Sequence, residues 1–291
     1  MGVADSNLRE PDDDGTPSRA PRAGRPDYHE LPDALECFED FAARLAGRKP
    51  AFFLDFDGTL SSIVSRPADA VLLDGLRETL RKLAQDHVVA IISGRDRADV
   101  QQRVGLDELV YAGSHGMDIS GPGGLRMLHE AARACLADID AAEQALRARL
   151  QSVPGAEIER KRFAVAVHFR NVAAECVPDI DAAVEEARAR WPSLRRTGGK
   201  KVFELRPDVD WDKGRAVLWL LDALKLKGGD VVPVYFGDDL TDEDAFRALA
   251  DSGVTVLVGD HGKPTTAGFR VADPAAAREL LDRLLDRRRA R

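Results

Sequence analysis

The sequence carries two clusters of carboxylates, each placed directly after a short apolar run. The first is Asp55-Phe56-Asp57-Gly58-Thr59-Leu60. Asp55 and Asp57 are two positions apart, so an extended chain turns both toward one crevice, and Gly58 permits a sharp exit. Carboxylates held this close repel unless a cation or a proton lies between them. The second cluster is Gly237-Asp238-Asp239-Leu240-Thr241-Asp242-Glu243-Asp244. Part of it reads as helix capping, with Thr241 as N-cap and acids in the first turn. Asp238 precedes that helix and can share a sheet edge with Asp55. An oxygen-rich set of this kind suits Mg²⁺, which completes its octahedron with waters and phosphate oxygens. No histidine or thiolate set competes, which argues against zinc.

An anion held over such a cation also needs donors. Ile91-Ile92-Ser93-Gly94-Arg95 puts a hydroxyl and a flexible backbone at the end of another apolar run. Amides opening the next helix can then face phosphate oxygens. Lys213-Gly214 opens a later helix with a point positive charge. Each segment alone has a plainer reading, Ser93 as a cap and Lys213 as a surface lysine. Their order along the chain is what carries information.

These groups require an α/β scaffold. Ala51–Phe56, His87–Ile92, Leu109–Ala112, Val231–Phe236 and Val254–Val258 read as buried strands. Amphipathic stretches separate them: Leu73–Leu83, Asp96–Arg103, Lys213–Leu224, Glu243–Leu249 and Ala275–Leu285. That alternation predicts a parallel sheet covered on both faces. After Gly121-Pro122-Gly123-Gly124 the grammar changes. A long alanine- and arginine-rich helix over His129–Leu150 is followed by a strand at Phe163–Arg170, a helix at Pro178–Arg190 and a strand at Lys201–Leu205. The reading is a core at 31–118 and 207–291, with an α+β insertion at 119–206. Residues 1–30 hold four prolines, seven acids and four arginines, so they read as a disordered tail. A helical pattern through Leu35, Phe38, Phe41 and Leu45 follows it.

Composition narrows the function classes. The chain has 291 residues and a formal net charge of −8, which disfavours a nucleic-acid binder. The arginine-rich end, Arg287-Arg288-Arg289-Ala290-Arg291, reads as a solvated helix end. Cys37, Cys135 and Cys176 are too scattered for a disulfide framework or a metal knuckle. Neither a leader peptide nor an uncharged apolar span long enough for a membrane is evident. The expectation is a cytoplasmic, monomeric enzyme with no membrane or nucleic-acid partner.

The ordered set of Asp55-Phe56-Asp57-Gly58-Thr59, Ser93, Lys213 and Gly237-Asp238-Asp239 resembles the phosphatase branch of the haloacid dehalogenase-like hydrolases. The resemblance implies a modified Rossmann core with a mobile cap. It implies Asp55 as nucleophile toward phosphorus and Asp57 as general acid and base. It also implies Mg²⁺ held by Asp55, the main-chain carbonyl of Asp57, and Asp238. Ser93, Gly94 and Lys213 would cradle the phosphate, with Asp239 and Asp242 supporting from behind.

Three more segments narrow the likeness: Gly113-Ser114-His115-Gly116, Glu159-Arg160-Lys161 with Val165–Arg170, and Lys201–Pro207 leading to Asp212-Lys213-Gly214. With the acidic clusters they resemble trehalose-6-phosphate phosphatases, from about Phe52 to Val258. That implies a small sugar phosphate as partner. A disaccharide offers many hydroxyls, best read by fixed charged and polar groups in a closed crevice. Glu159, Lys161 and Glu204 are the expected sugar contacts, with Arg95 and His168 as further choices. His168 lies in an apolar strand, which favours a structural role, and His115 equally suits shaping its loop. Sucrose phosphate and mannosyl-3-phosphoglycerate remain open as alternative substrates.

Overall fold

The computed structural model describes residues 25–64, 66–199 and 201–289. The chain enters through a short 3₁₀ turn, Tyr28–Glu30, and α1 (Phe38–Leu45). It then alternates β1 (Lys49–Leu54), α2 (Leu76–Ala84), β2 (Val89–Ile92), α3 (Arg97–Val104) and β3 (Val110–Gly113). Two short strands follow, β4 (Asp118–Ser120) and β5 (Arg126–Leu128). A second layer comprises α4 (Glu130–Ala134), α5 (Leu136–Leu150), β6 (Glu157–Lys161), β7 (Ala164–His168), α6 (Val177–Arg190), β8 (Leu194–Gly199) and β9 (Val202–Pro207). The first grammar then resumes with α7 (Lys213–Ala223), β10 (Val231–Gly237), α8 (Glu243–Leu249), β11 (Val254–Val258), β12 (Phe269–Val271) and α9 (Pro274–Arg289).

The large sheet runs β12-β11-β10-β1-β2-β3-β4-β5, parallel from β12 to β3. Its central strand is apolar on both faces because helices cover both. Phe52 and Leu54 face α1, α2 and α9 through Phe41, Leu76, Leu80 and Leu280. Ala51 and Phe53 face α7 and α8 through Val217, Leu220 and Phe246. Phe52 and Phe53 are 1% and 0% exposed, and each such burial stabilises the sheet by roughly 2 kcal/mol. Strand order reverses between β1 and β10, which opens a crevice at their carboxyl ends. That is where both acidic clusters emerge.

The expected boundaries shift in two places. Residues 119–128 do not begin the insertion, because β4 and β5 pair antiparallel onto β3 and enlarge the core sheet. The tail reading at 1–30 falls mostly outside the described residues. Within them, Tyr28 is buried and its hydroxyl donates to the Val271 carbonyl, so ordered packing begins before residue 31. The long helix expected over His129–Leu150 breaks at Cys135 into α4 and α5. At the other end Arg287 is not simply solvated, since it donates to Glu39 and lies over the Phe38 ring.

The inserted layer is a separate four-stranded antiparallel sheet, β6-β7-β9-β8. Val165, Val167 and Leu205 pack beneath α5 and α6 on Ile139, Leu146, Ile180 and Val184. Strand alternation puts the intervening residues on the opposite face. Register aligns Glu159 with Ala166 and Glu204, Lys161 with Ala164, and Arg206 with Arg195. One face is therefore apolar at its centre, with Arg160 and Arg196 paired to the helices at its margins, and the other presents charges over small side chains.

Candidate active site

Asp55 leaves the end of β1, where its amide still bonds the Phe236 carbonyl of β10. Its side chain is almost wholly buried, and Lys213 Nζ donates to Oδ1 at 2.9 Å. The same ammonium donates to Asp242 Oδ1 at 2.7 Å, a carboxylate that is 0% exposed. Lys213 reaches both because it is the first residue of α7, capped by Asp212, which accepts from the Arg215 amide. Gly214 lets that helix press on α8: a Cβ there would lie 2.4 Å from the Asp244 carbonyl.

Asp242 is fully engaged. Tyr235 Oη donates to its Oδ1 at 2.6 Å, and the amides of Asp238 and Asp239 donate to Oδ2 at 3.2 and 3.0 Å. It anchors Lys213 and the turn that carries Asp238. Capping here differs from expectation, because Asp239 rather than Thr241 caps the short turn before α8. Gly58, at φ +76°, brings the first cluster against the second, and a Cβ there would sit 1.9 Å from Asp238 Oδ2.

Asp55, Asp238 and Asp242 offer carboxylate oxygens within 4.8 Å of one another. One lysine opposes these acids, so the crevice is deficient in positive charge. Burial, only partly offset by Lys213, raises Asp55 to about 7, with Asp242 and Asp57 adding to the rise. Burial, with Asp55 and Asp242, raises Asp238 to about 9. Burial pulls the Lys213 ammonium down, but Asp242 and Asp55 outweigh it and keep the group charged. Asp238 Oδ1 is buried without a hydrogen-bond partner. An orphaned buried oxygen in an all-oxygen set fits a hard divalent cation. Since Asp242 has spent both oxygens on donors, Asp55 and Asp238 are the side chains best placed to hold one.

The Asp57 carboxylate turns elsewhere. Arg95 grips it bidentately, Nε to Oδ2 and Nη2 to Oδ1, both at 2.7 Å. The remaining Arg95 donors go to Asp99 at 3.0 Å and the Pro67 carbonyl at 2.7 Å. The structure thus joins Arg95, expected as a sugar contact, to the expected general acid. Ser93 ends β2 fully buried, with its Oγ accepting from the Arg95 amide at 3.1 Å. Gly94 lies under His115, whose ring a Cβ there would approach to 3.0 Å.

On the cap face Lys161 donates to Glu204 at 2.8 Å, and Glu159 pairs with His168 at 2.9 Å. Burial lowers Lys161, but Glu204 outweighs it and favours the charged form. The His168 hydrogen bond holds Glu159 below the usual carboxylate range. Lys161 and Glu204 share a cavity with Gly94 and His115, whereas Glu159 and His168 lie outside its walls.

Two residues given no binding role by the sequence also line that cavity: His115, weighed as a loop-shaping residue, and Arg206. Burial, with Lys213, Arg206, Lys161 and Arg195 nearby, holds the His115 ring well below its ordinary pKa and therefore neutral. Ser114 and His115 adopt φ of 50° and 56°, a left-handed pair without glycine. Such strain clusters at functional sites. The Ser-His-Gly segment was the available signal, but nothing in it foretold that conformation.

A doubly covered parallel sheet, carboxylates at its switch point and an inserted sheet are the core-and-cap arrangement that the likeness to haloacid dehalogenase-like hydrolases implies. The trehalose-phosphatase family model matches residues 53–275. A trehalose-phosphate phosphatase of Mycobacterium tuberculosis is 46% identical over 267 residues, 90% of this chain and 68% of that one. Among solved structures, the trehalose-6-phosphate phosphatase C-terminal domain of C. albicans superposes with a TM-score of 0.72 at 25% identity, covering 88% of this chain and 99% of that one. A trehalose-6-phosphate phosphatase related protein gives 0.72 at 27% identity, covering 82% and 99%. The chain belongs to the trehalose-phosphatase family.

Proposed function

We propose that this protein hydrolyses trehalose 6-phosphate to trehalose and phosphate through an aspartyl-phosphate on Asp55. The observation that carries the chemistry is the buried Asp55–Lys213–Asp242 triad facing Asp238 at the sheet's switch point. Lys213 occupies Asp55 Oδ1, which leaves the second oxygen for in-line attack and favours the ionised form needed for it. Asp55 and Asp238, with the main-chain carbonyl of Asp57, are the groups that would hold Mg²⁺. Bound there, the cation supplies positive charge against the phosphoryl oxygens and the crowded carboxylates.

Ser93 and Lys213 would hold the transferring group, which depends more on positioning and electrostatics than on covalent help. Asp57 would protonate the sugar oxygen as it departs, then take a proton from water attacking the acyl-phosphate. Arg95 holds that carboxylate here, so the role requires Asp57 to exchange this partner for the sugar oxygen. The cap face supports a polyhydroxylated substrate, because Lys161 and Glu204 can exchange each other for sugar hydroxyls. No described helix is long and apolar enough to cross a membrane.

Phosphate release should be measured on a panel of trehalose 6-phosphate, sucrose 6-phosphate and mannosyl-3-phosphoglycerate with added Mg²⁺. Trehalose 6-phosphate should dominate, and Asp55→Asn should lower its turnover by at least about 10³-fold. Equal rates across the panel would overturn the substrate assignment. Turnover surviving Asp55→Asn would overturn the mechanism.

A further inference from the structure

The turn joining β6 to β7 is planted on the core. The Arg162 amide donates to both oxygens of Asp96, at 3.0 and 2.8 Å. Asp96 caps α3 directly after Ser93-Gly94-Arg95, and it also accepts from Ser114 Oγ at 3.2 Å. The Arg162 guanidinium bonds Asp118 on β4, a largely buried carboxylate that holds Arg97 at 3.2 Å on its other side. Phe163, the next residue, is 2% exposed in an apolar knot with Met117 and Ala132. Leu128, Val209 and Trp211 pack on that knot, and they lie along the two chain crossings between core and cap.

We infer that the docking of Arg162 on Asp118 and Asp96 sets where the cap comes to rest, which makes Arg162 a positioning residue for sugar recognition. Among the described residues no strand pairing links the two sheets, so the register of the cap face over Gly94 is left to the crossings and to this turn. Lys161 directly precedes Arg162, and its partner Glu204 lines the same cavity as Gly94 and His115. That cavity measures about 20 Å³, room for about one water molecule. A disaccharide therefore enters only when the walls part, and a contact that reforms restores their register. The Arg162 side chain is 43% exposed, so its guanidinium is rehydrated when it leaves Asp118, and the 10%-exposed Asp118 keeps Arg97 as its counter-charge.

The ligand's identity, but not the docking itself, rests on the sugar-phosphate reading above. The test uses Arg162→Ala, Arg162→Lys, Asp118→Asn and the Arg162→Ala/Asp118→Asn pair on the full chain with Mg²⁺. Substrates are trehalose 6-phosphate and p-nitrophenyl phosphate, whose small aryl group needs no cap contact. Arg162→Ala should raise KM for the sugar phosphate about tenfold with kcat within about twofold, and leave the aryl phosphate within about twofold. Arg162→Lys should recover most of the loss, and the double variant should be no worse than the poorer single one. Independently of substrate, amide exchange over residues 161–164 should quicken about tenfold in Arg162→Ala, with β1 and β10 unchanged. Equal losses on both substrates, additive losses, or unchanged exchange would each overturn the inference. Should the native chain not act on trehalose 6-phosphate, the proposed substrate fails while the exchange measurement still decides the docking.

Discussion

The crevice of the core and the polar face of the cap both pair acids with bases, but by different means. Lys213, Asp55 and Asp242 are at most 6% exposed, and Asp242 accepts four hydrogen bonds from fixed donors. On the cap, Glu159 and His168 are 45% and 32% exposed and pair with each other. Buried charges with fixed partners cannot trade them without large cost, whereas half-exposed pairs can. The core therefore prearranges groups for chemistry, and the cap offers contacts that a substrate can replace. Breaking either kind of pair measures the difference.

The largest effect is expected from Lys213→Met. It leaves buried carboxylates without their counter-charge, so stability should fall by about 3–5 kcal/mol in denaturant melts. Phosphate release should fall by about 10³-fold or more, and near-native values of both would abolish the contrast. Next comes pH in the presence of a chelator. Asp55 at about 7 and Asp238 at about 9 lie above their ordinary value of 3.8. Between those limits the folded state binds more protons than the unfolded chain, so stability falls as pH rises through the folded values. Thermal melts should therefore drop from about pH 5 to about pH 9, and Mg²⁺ should restore more at the alkaline end, where fewer protons compete. A flat profile would show that the crevice tolerates its charge unaided.

Glu204→Gln should act on recognition alone. Losing a charged hydrogen bond to a hydroxyl costs about 1.5–3 kcal/mol, a tenfold or greater rise in KM, with melting unchanged. The smallest effect belongs to His168→Gln, which removes an exposed pair outside the cavity and should shift KM by less than about fivefold. A larger shift would place His168 in contact with the sugar.

Much of the core was readable because its strands are continuous apolar runs that end in chemistry-bearing residues. Val254–Val258 and Glu243–Leu249 match their expected spans to the residue, since both are bounded by polar or glycine turns. The edge of the sheet was not readable: β4 and β5 have three residues each and owe their form to pairing with β3. Strand β8, Leu194-Arg195-Arg196-Thr197-Gly198-Gly199, has poor strand propensity and forms because β9 accepts it along its whole length. Asp55, Asp238 and Lys213 announced themselves by motif. The grip of Arg95 on Asp57 and of Asp118 on Arg162 spans 38 and 44 positions with no local signature, so only the folded chain reveals them.

The segment returning from β9 to α7 has a consequence for how such proteins can be rebuilt. Arg206 lines the cavity near its start, and Lys213 holds Asp55, the proposed nucleophile, at its end. The two are thus tethered by a few peptide units, buttressed by Trp211 packed at a tilt against His129 from the other crossing. A foreign cap grafted at this junction would reset the reach of Lys213 along with the specificity. Insertions between the two residues should therefore alter the sugar-facing cavity and the reach of Lys213 independently.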